Sequence, residues 1–273
     1  MWSLFAALLL SHKTITGFAQ KPSQPDSFLL DMSLDAVDDM YSGCKDKMDS
    51  TIRKQYLPIE KKLVQNNFTV AWREAEKFYN KMWGHKRGKR PSTSLGKEQI
   101  MSIYVYTLDK PNVYLDFNKA VRTQGPKYKS SFKYHALHYF LTVAVQKLSA
   151  RRDEPARCMT VYRRVGALFS RDALNKPVRF GSFTSTSMGR YPSAARFGDS
   201  SCFEITTCLG ADISIYSKLA DAEREVLVPP YEVFKITQMK KRSENKRLPC
   251  QVVYVLSSTG VLSKLNCALD LMS

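Results

Sequence analysis

Acidic residues are what this 273-residue chain has least to spare: 25 Asp and Glu stand against 42 Lys and Arg, a formal charge of +17. Such a balance favours anionic partners or surfaces. The chain nevertheless has no aromatic–basic motif of the nucleic-acid-binding modules, so no nucleic acid is expected as a partner. Glycine is sparse, and no GxGxxG follows a strand-like run, which excludes a Rossmann-type dinucleotide site. There is no CxxC and no Cys/His ligand spacing, so no metal is expected. His135 and His138 lie three apart on a helical run without an evident third ligand, and read as core or surface histidines. Beyond the first residues, no segment approaches the roughly 18 apolar residues of a membrane span. The C-terminal LSKLNCALDLMS lacks the hydrophobic tail of a GPI signal, so no membrane anchor is expected. No internal repeat is visible.

What is present begins with an apolar run from Trp2 to Leu10, followed by small residues near Gly17–Ala19. This reads as a signal peptide over residues 1–19, leaving 20–273 as one secreted, extracellular domain. The cysteine count agrees. Cys44, Cys158, Cys202, Cys208, Cys250 and Cys267 make an even set in a secretory context, which suggests disulfides and leaves their connectivity open. Cys202 and Cys208 share one strand-like run; about 20 Å of strand separates them, so they do not pair with each other. Asn67, in NFT, is a glycosylation sequon.

The first half reads as helix. FTVAWREAEKFYNKMW carries Val70, Trp72, Ala75 and Phe78 near helical spacing, and FKYHALHYFLTVAVQKLS carries Tyr134, Leu137, Leu141, Val145 and Leu148 on one stripe. HKRGKRPSTS (His85–Ser94) reads as an exposed loop. From Met159 onward, short β-rich runs alternate with turns: MTVYRRV, VRFGSFTSTS, CFEITTC, EVLVPPYEVFKITQM and CQVVYVLSS. KKRSENKR (Lys240–Arg247) reads as a charged hairpin tip. Helices first and strands later predict an α+β domain, a helical N-terminal region packed on a β-sandwich or partly open barrel.

Three polar features interrupt the apolar strands. Arg163, in TVYRRV, needs an anionic partner because a buried unpaired charge is costly. Its planar fork suits phosphate or carboxylate, while Arg164 is read as the arginine of the solvent face. In GSFTSTS, Ser185 and Ser187 share a strand face and by themselves read as a solvated edge. In EREVLVPP, Glu223 and Glu225 stand two apart, at the mouth of a strand. By themselves they read as two solvated acids at a loop end. A like-charge pair raises the pKa of one member unless cations or hydrogen bonds compensate. Such pairs occur where positive charge develops, as in glycosyl transfer through an oxocarbenium ion.

The order Arg, then STS, then ExE is more specific than its parts. With VYRRV, VRFGSFTSTS, CFEITTCLGA, EREVLVPPYEVF and LNCAL in sequence, the chain from about Leu30 to Leu269 resembles the arginine-specific mono-ADP-ribosyltransferases of the vertebrate ecto-enzyme family. The resemblance implies that fold type and an enzyme that transfers ADP-ribose from NAD to arginine-bearing acceptor proteins. NAD is then a substrate and no permanent cofactor is implied. Arg163 would hold the pyrophosphate. Ser185 would position the nicotinamide ribose, and Phe197 would stack on the nicotinamide. Glu225 would bind the ribose 2'-hydroxyl and stabilise the oxocarbenium ion. Glu223 would bind and activate the acceptor guanidinium. Arg164 stands where the family often has glycine, and would contact the nicotinamide amide through its backbone. The family pattern further implies Cys44–Cys267 and Cys158–Cys208, which leaves Cys202–Cys250. Two other functions share these residues: an NAD glycohydrolase with water as acceptor, and an inactive secreted binding protein of the same fold.

Overall fold

A computed structural model describes residues 28–62, 67–84, 95–152, 158–218 and 224–270. The leader expected over residues 1–19, the loop expected over 85–94 and Glu223 lie outside the described residues.

The helical half comprises α1 (Lys45–Thr51), α2 (Leu57–Lys62), α3 (Asn67–Tyr79), α4 (Lys97–Thr107), α5 (Tyr114–Thr123) and α6 (His135–Ser149). A single π-type turn, Ile52–Tyr56, joins α1 to α2. On α3 the buried set is Phe68, Ala71, Trp72 and Ala75, and Val70 is exposed, which corrects the expected stripe. The helix starts at Asn67, and the buried positions follow the i, i+3, i+4, i+7 rule from Phe68; Val70 and Trp72, two apart, cannot share a face. Helix α6 is buried on all sides from His135 to Val145 rather than along one stripe. It packs against α4 and the sheet, in one core with Phe183, Ile213 and Leu227. A helix apolar all round is the kind a core can enclose.

That burial sets the state of the two histidines. His138 Nε2 donates to the Val37 carbonyl at 3.1 Å, and Nδ1 accepts from the Tyr41 hydroxyl at 2.8 Å. Burial pushes His138 down to about 3 and His135 down to about 4, so both are neutral core residues.

Glu60, on α2, caps the start of α6: its Oε1 accepts from the Ala136 N–H at 2.9 Å. Burial drives its carboxyl up to about 8, against the lowering effect of these backbone donors. The folded value lies above the unfolded one. The proton on Glu60 therefore stabilises the fold fully below about pH 4.5, and this contribution is lost as pH rises towards 8. Glu60→Gln keeps the acceptor and removes the titration. Its thermal midpoint relative to wild type should rise between pH 5 and pH 8 by the equivalent of about 2 kcal/mol or more, several degrees for a domain of this size. A difference that stays flat across that interval would mean Glu60 is ionised at no cost.

The strands are β1 (Met159–Val165), β2 (Pro177–Val178), β3 (Thr184–Met188), β4 (Ser201–Thr207), β5 (Ala211–Asp212), β6 (Glu225–Val228), β7 (Glu232–Lys241) and β8 (Val252–Val261). A one-turn helix, α7 (Ala194–Phe197), lies between β3 and β4. The α+β class is as expected. The sandwich is a single hydrogen-bonded sheet of eight strands in the order β2-β7-β8-β4-β1-β3-β6-β5. Its two parts meet only at β1 and β3, which pair over Val161–Met188 and Tyr162–Ser187. Past those two pairs the strands part, and this division positions the site.

Three disulfides close the domain: Cys44–Cys267, Cys158–Cys208 and Cys202–Cys250, the pairings the family pattern implies. The first joins the helical half to the C-terminal segment across 223 residues. On the chain-entropy model a loop of that length is worth about 5.4 kcal/mol. A buried ion pair, Arg179 Nη1 to Asp38 at 2.7 Å, ties the strand half to the N-terminal segment. Arg179 also donates to the Met32, Ser33 and Leu262 carbonyls, which satisfies the guanidinium that burial would otherwise penalise.

Candidate active site

The three motif-bearing strands are neighbours in the sheet, in the order β1-β3-β6. Pairing of β3 with β6 sets Ser185 opposite Leu227 and Ser187 opposite Glu225. Period-two alternation then puts Ser185, Ser187 and Glu225 on one face, and sends Thr186, Val226 and Val228 to the other. The solvated-edge reading of the two serines is therefore corrected. β3 is an interior strand, Ser187 is buried, and its Oγ donates to the Arg190 carbonyl at 2.5 Å.

A cleft of 470 Å³ opens where β1 and β3 part. Arg163 bridges the gap: its Nη1 donates to the Ser185 carbonyl at 2.7 Å. Ser185, Phe197 and Glu225 line the same cleft. Glu225 is only 6 % exposed, so the solvated-acid reading does not hold for it. The Ser217 hydroxyl donates to its Oε2 at 3.2 Å, and its own carbonyl accepts from the Ile213 N–H, so carboxylate and backbone are both held.

The opposite wall comes from the helical half: the end of α4, the loop to α5 and the start of α5 contribute Tyr106, Asn112 and Tyr114. Tyr106 is fixed by two bonds, donating to the Phe183 carbonyl at 3.0 Å and accepting from Asn118 Nδ2 at 3.1 Å. Burial holds its hydroxyl well above the usual tyrosine range, so it stays a neutral donor.

Phe197 owes its place to two glycines. Gly198, just after α7, has φ +78°, and a Cβ there would come within 2.6 Å of Gly166 Cα. Only glycine meets both demands, and the close approach pins α7 against the end of β1. Phe197 consequently lines the cleft instead of joining the core.

Arg164 departs from its expected solvent face. It is 9 % exposed, packs over Tyr191 at 5.9 Å and donates to the Pro249 carbonyl at 3.2 Å. The Cys202–Cys250 disulfide accounts for this, because Cys202 is its register partner on β4 and the bond draws Pro249 close. The side chain is thus tied to Tyr191 and Pro249, and Arg164 lines the cleft beside Arg163.

Sequence reasoning missed Tyr106, Asn112, Tyr114, Ser217 and Arg122. Arg122, on α5, donates through Nε to the Phe180 carbonyl at 3.3 Å and through Nη2 to the Ser182 hydroxyl at 2.6 Å. Its pKa is lowered, first by burial and then by the nearby Arg163 charge. It lines a second cavity that shares Arg163 with the cleft. Two guanidinium groups held together repel each other, an arrangement that favours an anion between them. Helical spacing around Val121 carried no sign of this, because the partners of Arg122, Phe180 and Ser182, lie 58 and 60 residues further along the chain.

The family model for NAD:arginine ADP-ribosyltransferases matches residues 30–252. The chain belongs to that family. In line with this, NAD(P)(+)–arginine ADP-ribosyltransferase 1 of Gallus gallus is 33 % identical over 98 % of this chain and 82 % of its own length. Ecto-ADP-ribosyltransferase 4 of Homo sapiens is 31 % identical over 92 % of this chain and 77 % of its length. Among solved structures, the eukaryotic mono-ADP-ribosyltransferase ART2.2 superposes with a TM-score of 0.69 at 30 % identity, covering 88 % of this chain and 98 % of the other. A variant of that protein has been solved in complex with NAD. The helices and the single eight-stranded sheet therefore match the ADP-ribosyltransferase fold of ART2.2.

Proposed function

We propose that this ADP-ribosyltransferase family member transfers ADP-ribose from NAD to arginine side chains of proteins, releasing nicotinamide. The observation that carries this reading is the convergence of Arg163, Ser185, Phe197 and Glu225 on one cleft. NAD is the donor substrate, with NADP an alternative donor, and no resident cofactor takes part.

Each group then has a task. Arg163 binds the pyrophosphate, and Arg122 beside it adds a second positive charge. Phe197 stacks on the nicotinamide, and the Arg164 backbone meets the carboxamide. Ser185 positions the nicotinamide ribose. Glu225 accepts a hydrogen bond from the ribose 2'-hydroxyl. As the C1'–nitrogen bond breaks, its electron pair leaves with nicotinamide and positive charge grows on the ribose. The Glu225 carboxylate, oriented by Ser217, stabilises that charge. An arginine nitrogen then attacks C1'. Its guanidinium, with a pKa above about 12, gives up a proton to Glu223.

The compartment reading rests on related observations. Three disulfides span the domain, and no helix among the described residues is long and apolar enough to cross a membrane. Residues 1–19 are read as the leader of a secreted, extracellular protein, and 20–273 as its single catalytic domain. Asn67 is exposed at the start of α3, where a glycan could be carried.

The test is direct. Purified protein incubated with NAD labelled in its adenylate half should release nicotinamide and label arginine in an arginine-bearing polymer, the modified residue being mapped by mass spectrometry. Nicotinamide release without labelling would make the protein a glycohydrolase. Neither product would make it a binding protein of the same fold.

A further inference from the structure

Next to the NAD cleft runs a second, open groove of 850 Å³. The two share Ser187, Pro192, Arg196 and Phe197, so the groove and the cleft adjoin along one wall. The groove is lined by three exposed arginines, Arg190, Arg196 and Arg224, and by no acid among the described residues. Arg224 immediately precedes the catalytic Glu225. Its Nη2 lies 3.0 Å from the Met188 sulfur, a weak acceptor that neutralises no charge. Three guanidinium groups therefore rim a groove that adjoins the cleft holding Glu225.

Taken by itself this is a contradiction, because a basic rim repels an arginine. It resolves if the acceptor arginine arrives inside a segment whose other charges are negative. We infer that the groove selects acceptor arginines flanked by acidic residues. This rests on the transferase reading above. The acidic flanks pair with Arg190 and Arg224 while the single arginine passes to Glu223 and Glu225. The overall charge of +17 works in the same direction, steering acidic proteins towards the enzyme and basic ones away.

Three peptides of equal length test this, each with one central arginine, flanked by Asp and Glu, by Ser and Gly, or by Lys. Free arginine serves as an acceptor without flanks, and nicotinamide release is followed alongside. For the wild type, labelling per unit concentration should be at least about tenfold better for the acidic than for the lysine-flanked peptide. That preference should shrink as ionic strength rises from about 0.05 to about 0.5 M. In the double variant Arg190→Glu/Arg224→Glu the preference should invert, with labelling of free arginine at or above the wild-type level, which also shows that the variant is folded. Equal labelling of the acidic and lysine-flanked peptides, or a preference the double variant leaves unchanged, would overturn the inference. Failure to label even free arginine while nicotinamide is still released would remove the transferase reading and this inference with it, and is distinguishable from the other outcomes by that free-arginine result.

Discussion

Glu225→Gln should lower nicotinamide release from NAD by a hundredfold or more while leaving the thermal midpoint close to that of wild type. The carboxylate is buried, its Oε2 accepts from the Ser217 hydroxyl, and it stands opposite Ser187 across the β3–β6 ladder. A glutamine of the same shape keeps the packing and the acceptor oxygen. It loses the negative charge, which matters only as the ribose becomes an oxocarbenium ion. One preorganised electrostatic contact of this kind is worth on the order of 3–4 kcal/mol in the transition state. The loss should therefore appear in kcat, with KM for NAD little changed. Steady-state kinetics and a melting curve on the same preparation check both halves. Near wild-type turnover in the folded variant would take the reaction centre away from Glu225.

Glu223→Gln should separate the two half-reactions. Glu223 lies outside the described residues; it stands two residues before Glu225, where the acceptor guanidinium needs a base. In the proposed reaction, cleavage of NAD needs charge at the ribose, which Glu225 would supply. Attack by arginine needs a neutral guanidine, and a positioned base contributes about 100-fold to 10,000-fold to such a step. Labelling of free arginine should fall by about a hundredfold or more, with nicotinamide release to water kept within a few-fold. Equal loss of both activities would mean that the two acids serve the donor together, and arginine specificity would then have to come from elsewhere.

The strand half was the more legible part of the chain. MTVYRRV reads as a strand and is β1 residue for residue, because its β-branched and aromatic side chains suit a pleated surface. The helical half was legible in kind and misread in detail. Val70 was assigned to the buried side of α3 when only Phe68, Ala71, Trp72 and Ala75 share the spacing of one face. α6 read as amphipathic because Tyr134, Leu137, Leu141 and Val145 do form a stripe; His135, His138 and Thr142 are buried as well, since Tyr41 and Val37 satisfy His138 and core surrounds the rest. Arg164 was misassigned for a related reason. Alternation along β1 gives two faces, and the second face proved to be covered by Tyr191, Pro249 and the Cys202–Cys250 bond.

Local order along the chain determined which residue types this protein has for its chemistry: an arginine, a serine and a pair of glutamates, each in or beside a short strand, in a sequence order distinctive enough to mark the family. Those features are legible because side-chain chemistry and strand period are local. Which strands lie side by side is not local. The order β1-β3-β6, the parting of β1 from β3 after two residue pairs, and the approach of Gly198 to Gly166 depend on contacts between distant segments. So do the wall contributed by Tyr106, bonded to Phe183 77 residues away, and the nearness of Arg122 to Arg163. Only the tertiary structure could decide these, because a period of two or of 3.6 specifies the face a side chain takes and says nothing of what that face meets.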